Sequence, residues 1–220
     1  MLRVEFHSHT VYSKDSLSKP QAFVRVCRQK GLDRVVITDH NRIAGALEAK
    51  KIDPELVIAG EEIMTSHGEL LAFFLDDEVP AGLDPRSTID RLRDQGAFIS
   101  ISHPFDHLRN GSWKEDQLLE IIPFVDAIEV FNSRCIFKQA NQMATDFAQK
   151  HNLVGTVGSD AHALFELGNA TMILDGFHDA HSLCQVIRGA QVNTQLASPW
   201  VHFTSRFAVW SKAINRRSRK

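Results

Sequence analysis

The feature that most constrains this chain is an alternation of short β-type runs with helical ones, in which strand after strand stops at a residue able to bind a cation. "LRVEF" runs into His7 and His9, "RVVIT" into Asp39 and His40, and "LVIAG" into Glu61 and Glu62. "AFISIS" leads to His103, "VDAIEVF" to Asn132, and "LVGTVGS" to Asp160 and His162. Helical segments are expected from about Pro20 to Lys30, near "AGALEAKK", "PRSTIDRLRDQG" and "KEDQLLEII", and from about Phe137 to Lys150. A hairpin is expected through "LLAFFL", a further strand at "ATMILD" and a helix near "HDAHSLCQVIRGA". Such alternation predicts βα units around a mostly parallel sheet. Pro20 suits the first turn of a helix because its φ is already set, and Gly31 and Gly96 suit helix stops because glycine enters the left-handed region cheaply.

In a closed parallel barrel the C-terminal strand ends share one rim. Side chains two apart on a strand point the same way, so His7 can converge with His9, and Asp160 with His162. A lone histidine at a strand end is ordinarily a hydrogen-bonded structural residue; a ligand type at the end of six strands is what favours a metal site. Neutral imidazoles mixed with carboxylates suit Zn, Mn or Fe ions, and a shared carboxylate can bridge two of them. No G-x-S-x-G occurs, which argues against a serine nucleophile on a strained turn.

The 220 residues, 43% hydrophobic, suit one large single-core domain, expected over 1–200. Lys plus Arg number 25 against 27 Asp plus Glu, so the global charge favours neither a nucleic acid nor an acidic surface as an obligatory partner. Cys27, Cys135 and Cys184 are an odd set without C-x-x-C spacing, which points away from a disulfide framework and toward a reducing, cytoplasmic setting. No apolar run approaches the roughly 20 residues of a membrane span. The segment 201–220 departs from the neutral balance: Arg206, Lys212, Arg216, Arg217, Arg219 and Lys220 occur there without one acid. It predicts a last helix docked through Phe207, Trp210 and Ile214 and a solvated basic end, with a phosphate-rich or membrane-surface partner as the alternative.

The ordered motifs "HSHTVYSKDS", "ITDH", "AGEEI", "SHP", "EVFNSR" and "GSDAH", spread over roughly residues 4 to 175, resemble the PHP family, named for polymerase and histidinol phosphatase. The resemblance implies an α/β fold, a distorted TIM-like (β/α)7 barrel in a single domain, with two or three divalent ions (Mn, Fe or Zn) at its C-terminal rim. By the family pattern His7, His9, one glutamate and Asp160 hold one metal. The same glutamate and His103 hold a second, while Asp15, His40 and His162 hold a third. The Gly-x-Glu motif selects Glu62 rather than Glu61 as the shared ligand. The second metal often gains a further histidine in relatives; Asn132 and Glu69 stand at those places here, with His67 nearby, and Glu69 is the expected ligand.

Asp39 is expected to support a metal-bound imidazole rather than to ligate, because such rings commonly need a partner on their other nitrogen. Arg134, and less strongly Arg42 and Lys14, are candidates to fork onto a phosphate. His107 is weighed as a leaving-group acid against a loop histidine without a role, and His151, His178, His181 and His202 are expected at the surface. The implied activity is hydrolysis of a phosphate monoester of a small molecule or nucleotide by a metal-activated water, with Glu62, His103 and Arg134 as catalytic candidates. An exonuclease or oligonucleotide phosphodiesterase is one alternative, and a non-catalytic metal-binding regulatory module the other. No sizeable segment is spare between the motifs, which suggests an open rim able to admit a small phosphorylated substrate or a short oligonucleotide.

Overall fold

The computed structural model describes the backbone of residues 1–217 and side-chain surroundings through Ile214. The expected solvated end at Arg216, Arg217, Arg219 and Lys220 therefore lies outside the described side chains. Strands β1 (Leu2–Glu5), β2 (Arg34–Ile37), β3 (Val57–Met64), β4 (Glu69–Phe73), β5 (Phe98–Ile101), β6 (Ala127–Asn132), β7 (Val154–Gly158), β8 (Ala170–Leu174) and β9 (Gln191–Thr194) form one sheet. Their order is β7-β6-β5-β4-β3-β2-β1-β8-β9. Around them run α1 (Pro20–Gln29), α2 (Ala44–Ile52), α3 (Pro85–Asp94), α4 (Glu115–Ile121), α5 (Lys138–Lys150), α6 (Ala180–Val186) and α7 (Val201–Arg217).

The sheet nearly closes because β1 changes partner along its length. Leu2, Arg3 and Val4 pair antiparallel with β8. Past the end of the strand, Ser8 bridges in parallel to Ala161, His9 N donates to Ala161 O at 2.8 Å, and Asp160 N donates to His7 O at 2.8 Å. The first and seventh strands thus meet at the rim, and the seven-stranded distorted barrel expected from the motifs is present. The sheet is less parallel than predicted, since β4 runs antiparallel to both neighbours and β8 and β9 form an antiparallel extension. Strand β9 was not anticipated; its four residues, Gln191–Thr194, are all exposed and give no apolar alternation.

Period-two alternation sorts each strand into an inner and an outer face. On β3, Val57, Ala59 and Ile63 join the core that packs against α1 through Phe23, Val24 and Cys27 and against α3 through Ile89 and Leu92. Ile58 points the other way, into a second cluster with Val4, Phe6, Val36, Leu71, Phe73 and Phe98 that fills the lower barrel. Phe73 stacks on Phe98 with centroids 5.5 Å apart, and each buried ring contributes roughly 1.5–3 kcal/mol. Continuing these inner rows upward by two residues at a time reaches Thr38 and His40 from Val36, Glu62 from Ile58, Glu69 from Phe73 and Leu71, Ser102 from Phe98, and Glu129 from Ala127. The barrel interior is therefore apolar at the bottom and ionisable at the top. Two helix ends follow the predicted chemistry, with Gly31 and Gly96 both at φ +69°.

Helix α7 corrects an expectation. Phe207, Trp210 and Ile214 were assigned to its docked face, yet they are 56%, 61% and 44% exposed. The helix is held instead by its narrow side, through buried Val201 and Ala208. Arg134 Nη2 donates to Val201 O at 3.0 Å and to Ser205 Oγ at 2.8 Å, and Lys212 Nζ donates to Val11 O at 2.7 Å and to Ser13 O at 2.5 Å. Polar anchors chose the face, and an amphipathic pattern alone could not reveal them.

Candidate metal centre

Strand ends bring His7, His9, His40, Glu62, Glu69, His103, Asp160 and His162 to one buried rim, with Asp15 arriving from the loop after β1. His7 Nε2 lies 3.1 Å from His9 Nε2, 3.4 Å from Glu62 Oε1 and 3.6 Å from Asp160 Oδ1. His9 Nε2 lies 3.5 Å from Glu62 Oε2 and 3.1 Å from Asp160 Oδ1. His103 Nε2 is 3.0 Å from Glu62 Oε1 and 3.5 Å from Glu69 Oε2. His40 Nδ1 is 2.9 Å from Glu62 Oε2, while Asp15 Oδ2 lies 3.5 Å from His40 Nε2 and 3.3 Å from His162 Nε2. Glu62 is common to both halves of the cluster, and the inner-face row through Ile58 is the reason it, and not Glu61, points there. Glu61 accepts from Val79 N at 2.9 Å on the helix-facing side.

The hydrogen-bond network fixes which ring nitrogens carry protons. Ser13 Oγ donates to Asp39 Oδ1 at 2.6 Å, so it accepts from His9 Nδ1 at 3.1 Å and leaves a bare lone pair on His9 Nε2. Burial, then the neighbouring His162 and His40, hold the His9 imidazole well below its ordinary pKa, in keeping with a neutral ring. His7 Nδ1 lies 2.9 Å from Glu129 Oε1, and His162 Nδ1 2.7 Å from Asp160 O, which aims the other nitrogen of each ring into the cluster. Burial opposes charge on His7, but Glu62, Glu129 and Asp160 outweigh it and raise its pKa. Glu62 is likewise penalised by burial, yet His7 and His40 hold it well below the usual carboxylate range.

A proton between His7 and His9 could bridge those two nitrogens, but Glu62 Oε2 and Asp160 Oδ1, both buried, have imidazole nitrogens as their nearest partners, His40 Nδ1 at 2.9 Å and His9 Nε2 at 3.1 Å, and no hydrogen bond of good geometry reaches either oxygen. Leaving such oxygens unpaired costs about 1–3 kcal/mol each, more when they are charged. Asp39, Glu62, Glu69, Glu129 and Asp160 are all buried at this end of the barrel. Among the described residues, the guanidinium that reaches their centre is Arg109, whose Nη1 donates to Asp160 Oδ2 at 2.5 Å. Three groups, His7–His9–Glu62, His9–His40–His162 and His40–Glu62–Glu69, each place one ligand atom per residue within 4.8 Å of the others. Divalent cations satisfy lone pairs and charge together, so the donor set fits them. Two of the residues sit where L side chains rarely go, His103 at φ +21° and Asp160 at φ +53°, a local strain of the kind that gathers at functional sites. Gly158 is required beneath them, because a Cβ there would overlap the His7 side chain and Glu129.

Two family models match the chain, a PHP domain over residues 5–72 and a PHP-associated region over 138–192. A protein of Methanocaldococcus jannaschii is 38% identical over 172 residues, covering 77% of this chain and 69% of the relative. The chain belongs to the PHP family. A second M. jannaschii protein is 34% identical over 145 residues, 60% of this chain and 82% of its own length. Among solved structures, a two-domain protein from Bacteroides vulgatus containing a predicted PHP-like metal-dependent phosphoesterase superposes with TM-score 0.69 at 21% identity, over 88% of this PHP chain and 65% of that one. PsfC from Pseudomonas syringae gives 0.68 at 19% identity, over 96% and 99%.

Within the PHP chain several residues lie elsewhere than expected. Asp39 does not face an imidazole; it accepts from Thr10 N at 2.7 Å, from Thr10 Oγ1 at 2.5 Å and from Ser13, and so reaches His9 through the serine. Glu129, which the sequence reading passed over, supports His7 directly and accepts from His103 N at 2.9 Å. A lone carboxylate in the apolar run "AIEVF", in phase with inward Ala127, was the available signal. Arg109 was also missed: its Nε donates to Asp106 Oδ2 at 3.0 Å and its Nη2 to Asn132 Oδ1 at 3.3 Å. Asn132 donates to Glu129 and Asp160, so it knits the wall together, while His67 turns to Ser66 Oγ at 2.9 Å. Arg134 is buried, with Nη2 committed to α7 and Nε 3.5 Å from Glu166 Oε2. His107 is exposed on the loop after β5, His178 and His181 are exposed as expected, and His202, expected at the surface, lines the cavity over the site. That cavity measures about 810 Å³ and is reached from below by Asp15, His40, Glu69 and His162. Among the described residues, no helix is long and apolar enough to cross a membrane.

Proposed function

We propose that this PHP chain is a metal-dependent phosphoesterase that hydrolyses a phosphate monoester of a small molecule or nucleotide, with water as the attacking group. The observation that carries the reading is the meeting of His7 Nε2, His9 Nε2, Glu62 and Asp160 Oδ1 at 3.1–3.6 Å, with two buried carboxylate oxygens that no hydrogen bond of good geometry reaches. His7, His9, Glu62 and Asp160 would hold one cation, Glu62, His103 and Glu69 a second, and Asp15, His40 and His162 a third. Mn, Fe and Zn all accept this mixture of imidazole and carboxylate. Bound there, such ions would lower the pKa of water and offset negative charge on the phosphoryl group.

The remaining work falls to the chain's own groups. Glu129 and the Asp39–Ser13 pair hold His7 and His9 in the ligating tautomer. Arg109, fixed at Nε by Asp106, spends one N–H of Nη1 on Asp160 and one of Nη2 on Asn132, and the second N–H of each nitrogen would serve a phosphate oxygen at the edge of the cluster. Arg134 stands behind it, binding α7 in place. The cavity above is walled by Lys14, Arg42, Arg109, Arg134, Arg206 and Lys212 against Asp15, Glu69 and Asp106, a lining in which bases outnumber acids and which favours anions. The same wall favours the second reading, capture of the 5′ end of a short oligonucleotide, because successive phosphates would meet successive cations.

The test is metal analysis of the purified protein coupled to a phosphate-release screen over sugar, amino-acid and nucleotide phosphates and short 5′-phosphorylated oligonucleotides. The reading expects bound divalent metal and chelator-sensitive release of phosphate from at least one monoester. Mononucleotide products with steep salt dependence would favour the second reading. Metal-replete protein without turnover on any of these would leave a non-catalytic metal-binding module and end both.

A further inference from the structure

Helix α7 closes one side of the cavity with its inner face and leaves a continuous apolar stripe on its outer one. Trp200, Phe203, Phe207, Trp210 and Ile214 are 73%, 63%, 56%, 61% and 44% exposed. From Phe203 onward their spacing of four, three and four residues places them on a single side of the helix. The rings touch one another along it, Trp200 to Phe203 with centroids 5.2 Å apart and Phe207 to Trp210 at 5.9 Å. The stripe cannot be an inner face waiting to turn in, because the anchors from Arg134 and Lys212 and the buried Val201 and Ala208 fix the helix by its other side.

Charge identifies what would cover it. Helix α7 carries no acid; Arg206, Arg216 and Arg217 belong to it and Arg219 and Lys220 follow, while Lys212 is turned inward to Val11 O and Ser13 O. Arg206 is exposed and sits three residues from Phe203 and four from Trp210, at the edge of the stripe. A second copy of the chain laid on this face by a two-fold axis would bring basic helix against basic helix, with no carboxylate on either to answer. A nucleic acid would supply the anions, but Ile214 offers it no stacking surface and the rings are already paired with one another, Trp200 with Phe203 and Phe207 with Trp210. Aromatic residues on one side of a helix with basic residues beside them suit the interface of a lipid layer, where rings insert at headgroup depth and cations meet anionic headgroups.

We propose that the outer face of α7 docks on an anionic lipid bilayer. Docking sets the α7 wall of the cavity, His202, Ser205, Arg206 and Lys212, within about one helix diameter, ~10 Å, of the bilayer surface. The proposal does not depend on which ester the site hydrolyses.

Flotation of the intact protein with vesicles of equimolar phosphatidylglycerol and phosphatidylcholine, against vesicles of phosphatidylcholine alone, tests it. The protein floats with the anionic vesicles, less so as salt is raised. Brominated acyl chains quench its tryptophan emission through Trp200 and Trp210, since Trp113 is buried. The triple variant Phe203→Ser/Phe207→Ser/Trp210→Ser, altered only at exposed positions, keeps its circular dichroism and binds the anionic vesicles roughly tenfold or more weakly. Failure of the wild type to float at low salt overturns the proposal, as does undiminished binding by the triple variant. Stripe-dependent self-association in sedimentation equilibrium, or stripe-dependent oligonucleotide binding, either of them without vesicle binding, overturns it in favour of that partner.

Discussion

Glu61 and Glu62 are chain neighbours on β3, both fully buried, and they live in opposite environments. Glu62 extends the inner row above Ile58 into a ring of imidazoles, and despite burial His7 and His40 keep it ionised. Glu61 extends the outer row above Val57 and Ala59 toward the helices, where burial pushes its pKa up to about 8, and its single hydrogen bond from Val79 N does not compensate. One strand therefore presents a carboxylate among imidazoles that could hold a cation on one face and a buried acid without such neighbours, among the described residues, on the other. The difference shows that burial alone does not make a carboxylate functional; what matters is which neighbours the two-residue period of the sheet delivers.

The comparison can be broken most severely at its inner half. Glu62→Gln, tested by metal content and turnover together, should lose both, with activity down more than about 100-fold, since even the supporting partners of metal ligands are commonly worth 10–100-fold. Glu129→Gln removes the charge beside His7 and turns one of the two acceptor oxygens that serve His7 Nδ1 and His103 N into a donor, and should lower metal affinity or kcat roughly 10–100-fold. Arg109→Lys keeps the charge but not the fork, so KM for the phosphorylated substrate should rise about tenfold while metal content holds.

The outer half gives the smallest effect on activity and a distinct one on stability. Glu61→Gln should leave turnover unchanged. With a folded pKa near 8 against an ordinary 4.5, native Glu61 keeps a proton that the unfolded chain has released across that interval. Its contribution is complete below the unfolded value and lost as pH rises through the folded one. Denaturation of wild type and variant as a function of pH should show the variant gaining relative stability from pH 5 to 8, at roughly 1.4 kcal/mol per pKa unit at most.

Most of the rim was legible because the ligand types fall at the ends of apolar runs, and such runs have few alternatives to being strands. His7, His9, His40, His103, Asp160 and His162 were marked that way, while the choice of Glu62 over Glu61 came from the Gly-x-Glu motif of the family resemblance. Glu129 was not so marked, since it lies inside the apolar run "AIEVF" rather than at its end, and only the phase it shares with Ala127 marks it. Arg109 comes from an irregular loop, where no periodicity says which way a side chain will point. The stripe on α7 was visible as a pattern but assigned to the wrong side, because a moment describes an asymmetry and not what packs against it. Strand β9 carries no apolar signal, being placed by backbone pairing to β8 alone.

The central claim, that the inner-face residues at the rim bind divalent cations, is tested most directly by the metal content of the purified wild type beside Glu61→Gln and Glu62→Gln. The account predicts at least two equivalents of metal per chain in the wild type and in Glu61→Gln, with a clear loss in Glu62→Gln. Equal loading of all three proteins, or metal-free wild type that still hydrolyses a phosphate ester, would contradict it.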